Sequence, residues 1–297
     1  MYATIKNSIK VFIAVWFFIA ASSAMAQVLY SVTSGDDLLR QINPADASTV
    51  SSVTITLAGE TIEGATGAAT HPATSQLWVL LKIESTSDRM LATVDVGTGV
   101  ATAVGSTGEK FAGISFNGDG SILYGVTGDG GSTPETLFEI NQATGASTLL
   151  TALGNGDDGE AIAVYPPDGL IYHASGHTGS DVIFETVDPN GFAITNIPLN
   201  GNLLEDEEAQ ALVPIAGGFL WKQDHGEGPL YSVTTAGVPT LIGDMDHQAK
   251  GLAYVPAIFP AGPPEQVPTM SVYGLILTIL GLLFITRRHI HASSKRR

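Results

Sequence analysis

Carboxylates return along this chain at intervals that could bring them together. Glu63, Glu109, Asp157 with Asp158 and Glu160, Glu207 with Glu208, and Asp244 with Asp246 occupy successive loop positions. Hard oxygen ligands converging on one point are what Ca²⁺ needs, since it takes about six to eight of them. A metal held there would allow an enzyme, for example a lyase or a lactone hydrolase. The competing reading is a solvated acidic surface that keeps an exported protein in solution. His225 and His247 lie beside these acids and could join a metal or an acid–base pair. His173 and His177 fall in a strand and its hairpin, where a spacing of four carries no ligand meaning. Gly154-x-Gly156-x-x-Gly159 has the form of a dinucleotide fingerprint but leads into the apolar run Ala161 to Val164. Without a helix N-terminus at that point, phosphate binding has no physical basis. Neither a Gly-x-Ser-x-Gly elbow nor His-Glu-x-x-His occurs, so those hydrolase signatures are missing.

What must position these groups is a repeat. An apolar–aromatic pair recurs at Leu29-Tyr30, Leu77-Trp78, Leu123-Tyr124, Ile171-Tyr172 and Leu220-Trp221, at steps of 46 to 49 residues. Each is followed by an apolar strand that runs into a turn, as in Leu91 to Val94-Asp95 and Leu137 to Ile140-Asn141. A third strand follows each turn, as at Thr102 to Gly105. The fourth is small and apolar, as at Gly113-Ile114-Ser115-Phe116, and such residues suit strands crowded around an axis. Four short strands in about 45 residues make one blade of a β-propeller, so five repeats predict an all-β, five-bladed ring.

The phase of the repeat predicts how the ring closes. The strand Gln27 to Thr33 lacks the small strand that should precede it, whereas Lys250-Gly251-Leu252-Ala253-Tyr254-Val255-Pro256 is such a strand without a blade. Pairing the two removes an exposed sheet edge. The loops between blades then emerge on one face, and most of the acids gather at one mouth of the ring. Tyr30, Trp78, Tyr124, Tyr172 and Trp221 are expected to pack between blades rather than to form a sugar-stacking platform. The repeats resemble those of secreted bacterial propellers, on Gly251-Leu252-Ala253-Tyr254-Val255-Pro256, Leu123-Tyr124-Gly125-Val126 and Ala92-Thr93-Val94-Asp95. That resemblance speaks to fold and says little about chemistry.

Charge narrows the partners. Residues 27–266 contain six basic side chains, Arg40, Lys82, Arg89, Lys110, Lys222 and Lys250, against all 29 acids. Such a domain repels phosphate backbones, and no nucleic-acid partner is expected. The absence of cysteine excludes disulfides and thiolate metal sites.

The two ends predict export. Lys6 and Lys10 precede the apolar run Val11 to Ala21 and the small-residue site Ala24-Met25-Ala26, the layout of a secretory signal over residues 1–26. The propeller is expected over 27–256, a Pro-rich linker over 257–266, and a tail over 267–297. That tail joins a proline motif to an apolar run, Leu275 to Ile285, and a basic end. About 15 residues of helix rise roughly 22 Å, enough to span a bilayer if the flanks contribute and the arginines snorkel. The positive end predicts a propeller outside the cytoplasm.

Taken together, the tail resembles the C-terminal sorting signals of Gram-negative envelope proteins that exosortase-type transpeptidases process. The type nearest in pattern begins isoleucine-proline-threonine-leucine-serine; Thr269 separates it from the proline-glutamate-proline variety. Val267, Pro268, Thr269, Met270, Ser271, Tyr273 and Gly274 match by position, and Arg287 and Arg288 supply the basic end. Val272 stands where an acid is usual and Tyr273 where tryptophan is usual. The resemblance implies anchoring in the inner membrane with the propeller in the periplasm, then transfer to the surface or medium. Expected partners are a processing enzyme and a surface or matrix protein or polysaccharide. An uncut single-span anchor is the alternative.

Overall fold

A computed structural model describes residues 27–128, 130–154, 160–176, 182–200, 208–223 and 227–257. Within them the chain is all-β, arranged as a five-bladed propeller. Blade 1 contains β1 (Gln27–Thr33), β2 (Leu38–Ile42) and β3 (Thr49–Thr54). The two-residue strand β4 (Thr56–Leu57) leads into blade 2, made of β5 (Ile62–Thr70), β6 (Leu77–Ile83), β7 (Arg89–Val94) and β8 (Val100–Ser106). Blade 3 is β9 (Phe111–Phe116), β10 (Leu123–Thr127), β11 (Thr136–Ile140) and β12 (Ser147–Ala152). Blade 4 is β13 (Ala161–Val164), β14 (Ile171–Ser175), β15 (Ile183–Val187) and β16 (Ile194–Asn196). Blade 5 is β17 (Ala209–Ile215), β18 (Gly218–Gln223), β19 (Gly228–Thr234) and β20 (Pro239–Met245).

The outer hairpins are set by one local rule. An Asx residue ends the third strand of each of the first four blades, and its backbone N–H donates across the turn. Asn43 pairs with Ser48 at 2.9 Å, Asp95 with Val100 at 3.0 Å, Asn141 with Ala146 at 2.9 Å and Asp188 with Ala193 at 3.0 Å. The same side chains accept from the amide two residues on, as Gly97 to Asp95 at 2.9 Å. This Asx geometry is why these residues mark strand ends.

Closure follows the expected pairing. Strand β21 (Ala249–Pro256) runs antiparallel to β1, with Leu29 opposite Tyr254 and Ser31 opposite Leu252. Leu29 and Leu252 share one buried cluster with residues of blade 5. N-terminal and C-terminal strands therefore complete blade 1, and β1 gains a partner on its inner side.

Small residues on the five inner strands let their backbones approach. A Cβ on Gly251 would lie 2.7 Å from the Ala68 amide nitrogen and 2.8 Å from the Gly67 carbonyl carbon, both backbone atoms of blade 2. At Gly113 the nearest atoms would be 3.4 Å away. Gly251→Ala is thus expected to cost about 1–3 kcal/mol by overpacking, with Gly113→Ala much milder; chemical denaturation of the pair measures it. Equal losses would mean that the axis is not crowded where β21 meets blade 2.

Core packing runs between neighbouring blades. Trp78 of blade 2 meets Phe116 of blade 3 edge-on at 5.7 Å, and Tyr172 of blade 4 lies 4.6 Å from Phe219 of blade 5. The repeated aromatics pack between blades, as their repetition predicted. The axial space between inner strands holds only about 10 Å³, room for at most one water. Below it opens a funnel of about 550 Å³.

Among the described residues no helix is long and apolar enough to cross a membrane. The predicted signal (1–26) and the sorting tail with its helix (267–297) lie outside the described residues.

Candidate functional site

The interface between blades 3 and 4 is apolar along most of its height and polar at the upper end, where the inner strands begin. Ile171 and Val187 face blade 3 and pack with Tyr124, Val126 and Leu137. Side chains alternate along a strand, so His173 and Ser175 follow Ile171 on the same face, and Glu185 shares the face of Val187. In register, His173 lies directly opposite Glu185. Glu160, one residue before β13, approaches from the inner strand.

These groups are sealed from water: His173 and Glu185 are 0% exposed and Glu160 1%. His173 Nδ1 contacts Glu185 Oε1 at 2.9 Å, its Nε2 contacts Glu160 Oε2, and the Ser175 hydroxyl donates to Glu160 Oε1 at 2.8 Å. Burial pushes the imidazole toward its neutral form. The carboxylates, Glu160 ahead of Glu185, overcome that and raise its pKa from 6.5 to about 10. His173 is therefore an imidazolium at neutral pH, donating from both nitrogens. Glu135 of blade 3 completes the group, and ligand atoms of Glu135, Glu160 and His173 all lie within 4.8 Å of one another. Glu135 adopts a left-handed φ of 52°, unusual for a residue with a side chain.

A second polar cluster locks blade 5 to blade 1. The Ser31 oxygen lies 2.7 Å from His247 Nε2, and His247 Nδ1 lies 2.7 Å from Asp246 Oδ1. Burial, helped by the Arg40 charge, lowers the His247 pKa below its usual value. A neutral ring whose Nδ1–H donates to Asp246 must accept from the Ser31 hydroxyl at Nε2. That is the hydrogen-bond order of a serine-hydrolase triad. Ser31 is 0% exposed in mid-strand, however, and no substrate reaches it. The chain of bonds spans 216 residues of sequence and ties the closing strand pair instead. Ser31→Ala is expected to cost about 1–3 kcal/mol, because a buried acceptor loses its donor; a thermal melt unchanged from wild type would remove the clasp from the account.

The described members of the predicted calcium set have separate surroundings. Asp157, Asp158 and Glu207 lie outside the described residues. Glu63 and Asp244 sit within β5 and β20 rather than in loops. Glu109 accepts from the Ser132 amide at 2.9 Å, Asp246 from the Thr49 hydroxyl at 2.8 Å, and Glu208 lies 3.7 Å from the Lys250 ammonium. Among the described residues, Glu160 alone of that set enters a group with metal-ligand spacing. Glu135, His173 and Glu185 were missed. A spacing of four to His177, which lies outside the described residues, carries no information about His173; the informative signal is its alternation with Ile171 and Ser175, a polar residue on a core face.

No protein-family model matches the chain, and no curated protein matches it. Solved structures superpose on it in part. A chain of the nidogen/laminin complex superposes with a TM-score of 0.51 at 10% identity, covering 77% of this chain and 98% of its own. A protein of unknown function from Bacteroides caccae gives 0.47 at 14% identity, covering 78% and 99%. A putative TolB from Agrobacterium tumefaciens gives 0.47 at 14% identity, covering 78% and 91%. At these identities likeness concerns fold alone. Fold and site together define a five-bladed β-propeller that buries an ionic group between blades 3 and 4 at one end and whose axis opens into an apolar funnel at the other.

Proposed function

We propose that this protein is an exported, envelope-associated propeller that works as a non-enzymatic binding module, sorted through its C-terminal tail. The observation that carries the binding reading is the lower funnel. It is about 550 Å³ in volume, the size of a ligand pocket, and is lined by Phe116, Tyr165, Pro167, Pro214 and Tyr254, with His71 and no carboxylate, lysine or arginine among its described lining residues. Rigid aromatic and proline surface favours contact over turnover. The partner is a surface or matrix protein or polysaccharide. Export rests on the signal-like residues 1–26, and sorting rests on the resemblance of residues 267–297 to exosortase-type signals.

Gly118 offers a clean test, because it lines the funnel and a Cβ there would meet nothing within 4 Å. Gly118→Trp should fill the funnel without unfolding the ring, and should abolish retention on immobilised extracellular polysaccharide or outer-membrane protein. Retention equal to wild type would refute the funnel as the binding face. Mass spectrometry of the mature chain tests sorting: termini at Gln27 and near Thr269 to Gly274 are expected, whereas an intact C-terminus would mean a plain anchor.

A second reading, a metal-dependent enzyme, draws on the buried Glu135–Glu160–His173 group at the opposite end of the ring.

A further inference from the structure

We propose that Glu135, Glu160 and His173 bind one divalent transition-metal cation of the zinc type, clamping blade 3 to blade 4, with Glu185 as the positioning residue for His173. The inference concerns the upper end of the ring and stands independently of the funnel.

The donor set fits such an ion. One imidazole nitrogen and two carboxylates suit Zn²⁺ and its first-row neighbours, whereas Ca²⁺ requires more oxygens than three side chains supply. Around a tetrahedral metal with bonds of about 2.0–2.2 Å, ligand atoms sit roughly 3.4 Å apart. The three here lie within 4.8 Å of one another; His173 Nε2 and Glu160 Oε2 are in direct hydrogen-bond contact and part to admit the ion. Glu135 comes from the loop before β11 and the other two ligands from blade 4. A bound ion therefore joins two blades at the interface where apolar packing gives way to charge.

Metal sites need their ligands aimed, and this one has the means. Glu185 Oε1, 2.9 Å from His173 Nδ1, accepts its proton and leaves Nε2 directed at Glu160. That is the carboxylate–histidine–metal arrangement, in which the outer carboxylate sets the tautomer and strengthens the ligand. Ser175 likewise holds Glu160 Oε1 from behind at 2.8 Å. In the metal-free state the His173 Nε2 proton occupies the place of the cation. Binding replaces it: the Nε2–H bond breaks, the nitrogen lone pair goes to the metal, and the proton leaves to solvent.

Dialysis of the intact, EDTA-stripped chain against Zn²⁺, with Ca²⁺ in parallel, tests the proposal by elemental analysis. One Zn²⁺ per chain is expected, with retention in excess Ca²⁺. Glu135→Gln, at a half-buried position, should fold and lower Zn²⁺ affinity by about 10-fold or more; His173→Gln should abolish it. The proposal is overturned if the wild-type chain takes up no stoichiometric Zn²⁺, if Ca²⁺ displaces it, or if folded Glu135→Gln binds as tightly as wild type. Should neither variant fold, Co²⁺ loading of the wild-type chain decides: a paramagnetically shifted imidazole N–H resonance supports histidine ligation, and its absence overturns it.

Discussion

Glu160→Ala should lower the stability of the metal-free protein by about 3–5 kcal/mol, the cost of leaving a buried charge with half its partners. Glu160 is 1% exposed, and its two oxygens meet His173 and Ser175. The same geometry makes stability depend on pH in a direction opposite to the common acid effect. The folded-state pKa of His173 is raised from 6.5 to about 10, so folding takes up its proton. That contribution is complete below pH 6.5 and disappears as pH climbs through 10. By linkage it amounts to up to about 5 kcal/mol. Denaturant midpoints taken in EDTA between pH 6 and 10.5 should fall for wild type and stay nearly flat for His173→Gln. Parallel curves for the two would show that the imidazolium is not held by its carboxylates.

Trp221→Ala should be comparably severe, about 3–5 kcal/mol, because it empties the largest fully buried side chain in the ring. Trp221 stacks at 5.2 Å on Phe184, so its loss opens the seam between blades 4 and 5. The Nε1 of Trp221 has no hydrogen-bond partner among the described residues. Trp221→Phe therefore removes volume without breaking a polar contact, and should recover more than half of the loss. If phenylalanine and alanine prove equally damaging on thermal denaturation, the indole nitrogen has a partner that matters.

The architecture was legible because its determinants are local and repeated. Asn43, Asp95, Asn141 and Asp188 end strands through their own side-chain geometry, and Gly251 carries no side chain where a Cβ would meet the backbone of blade 2. A period of 46 to 49 residues then counts the blades, and the unmatched strands at the two ends of the repeat specify the closing pair. None of this needs distant contacts to be known in advance.

The ionic groups needed the tertiary structure. His173 meets Glu185 through strand register, which alternation allows one to infer, but Glu160 and Glu135 reach it from an inner strand and a neighbouring blade. Ser31 and His247 meet only because the ring closes. Sequence determined the kind of ring and the sign of its charge, since turn chemistry, periodicity and composition act within a repeat. Which carboxylates became buried partners and which stayed in solvent depended on how adjacent blades abut, because burial is a property of the interface and not of the residue.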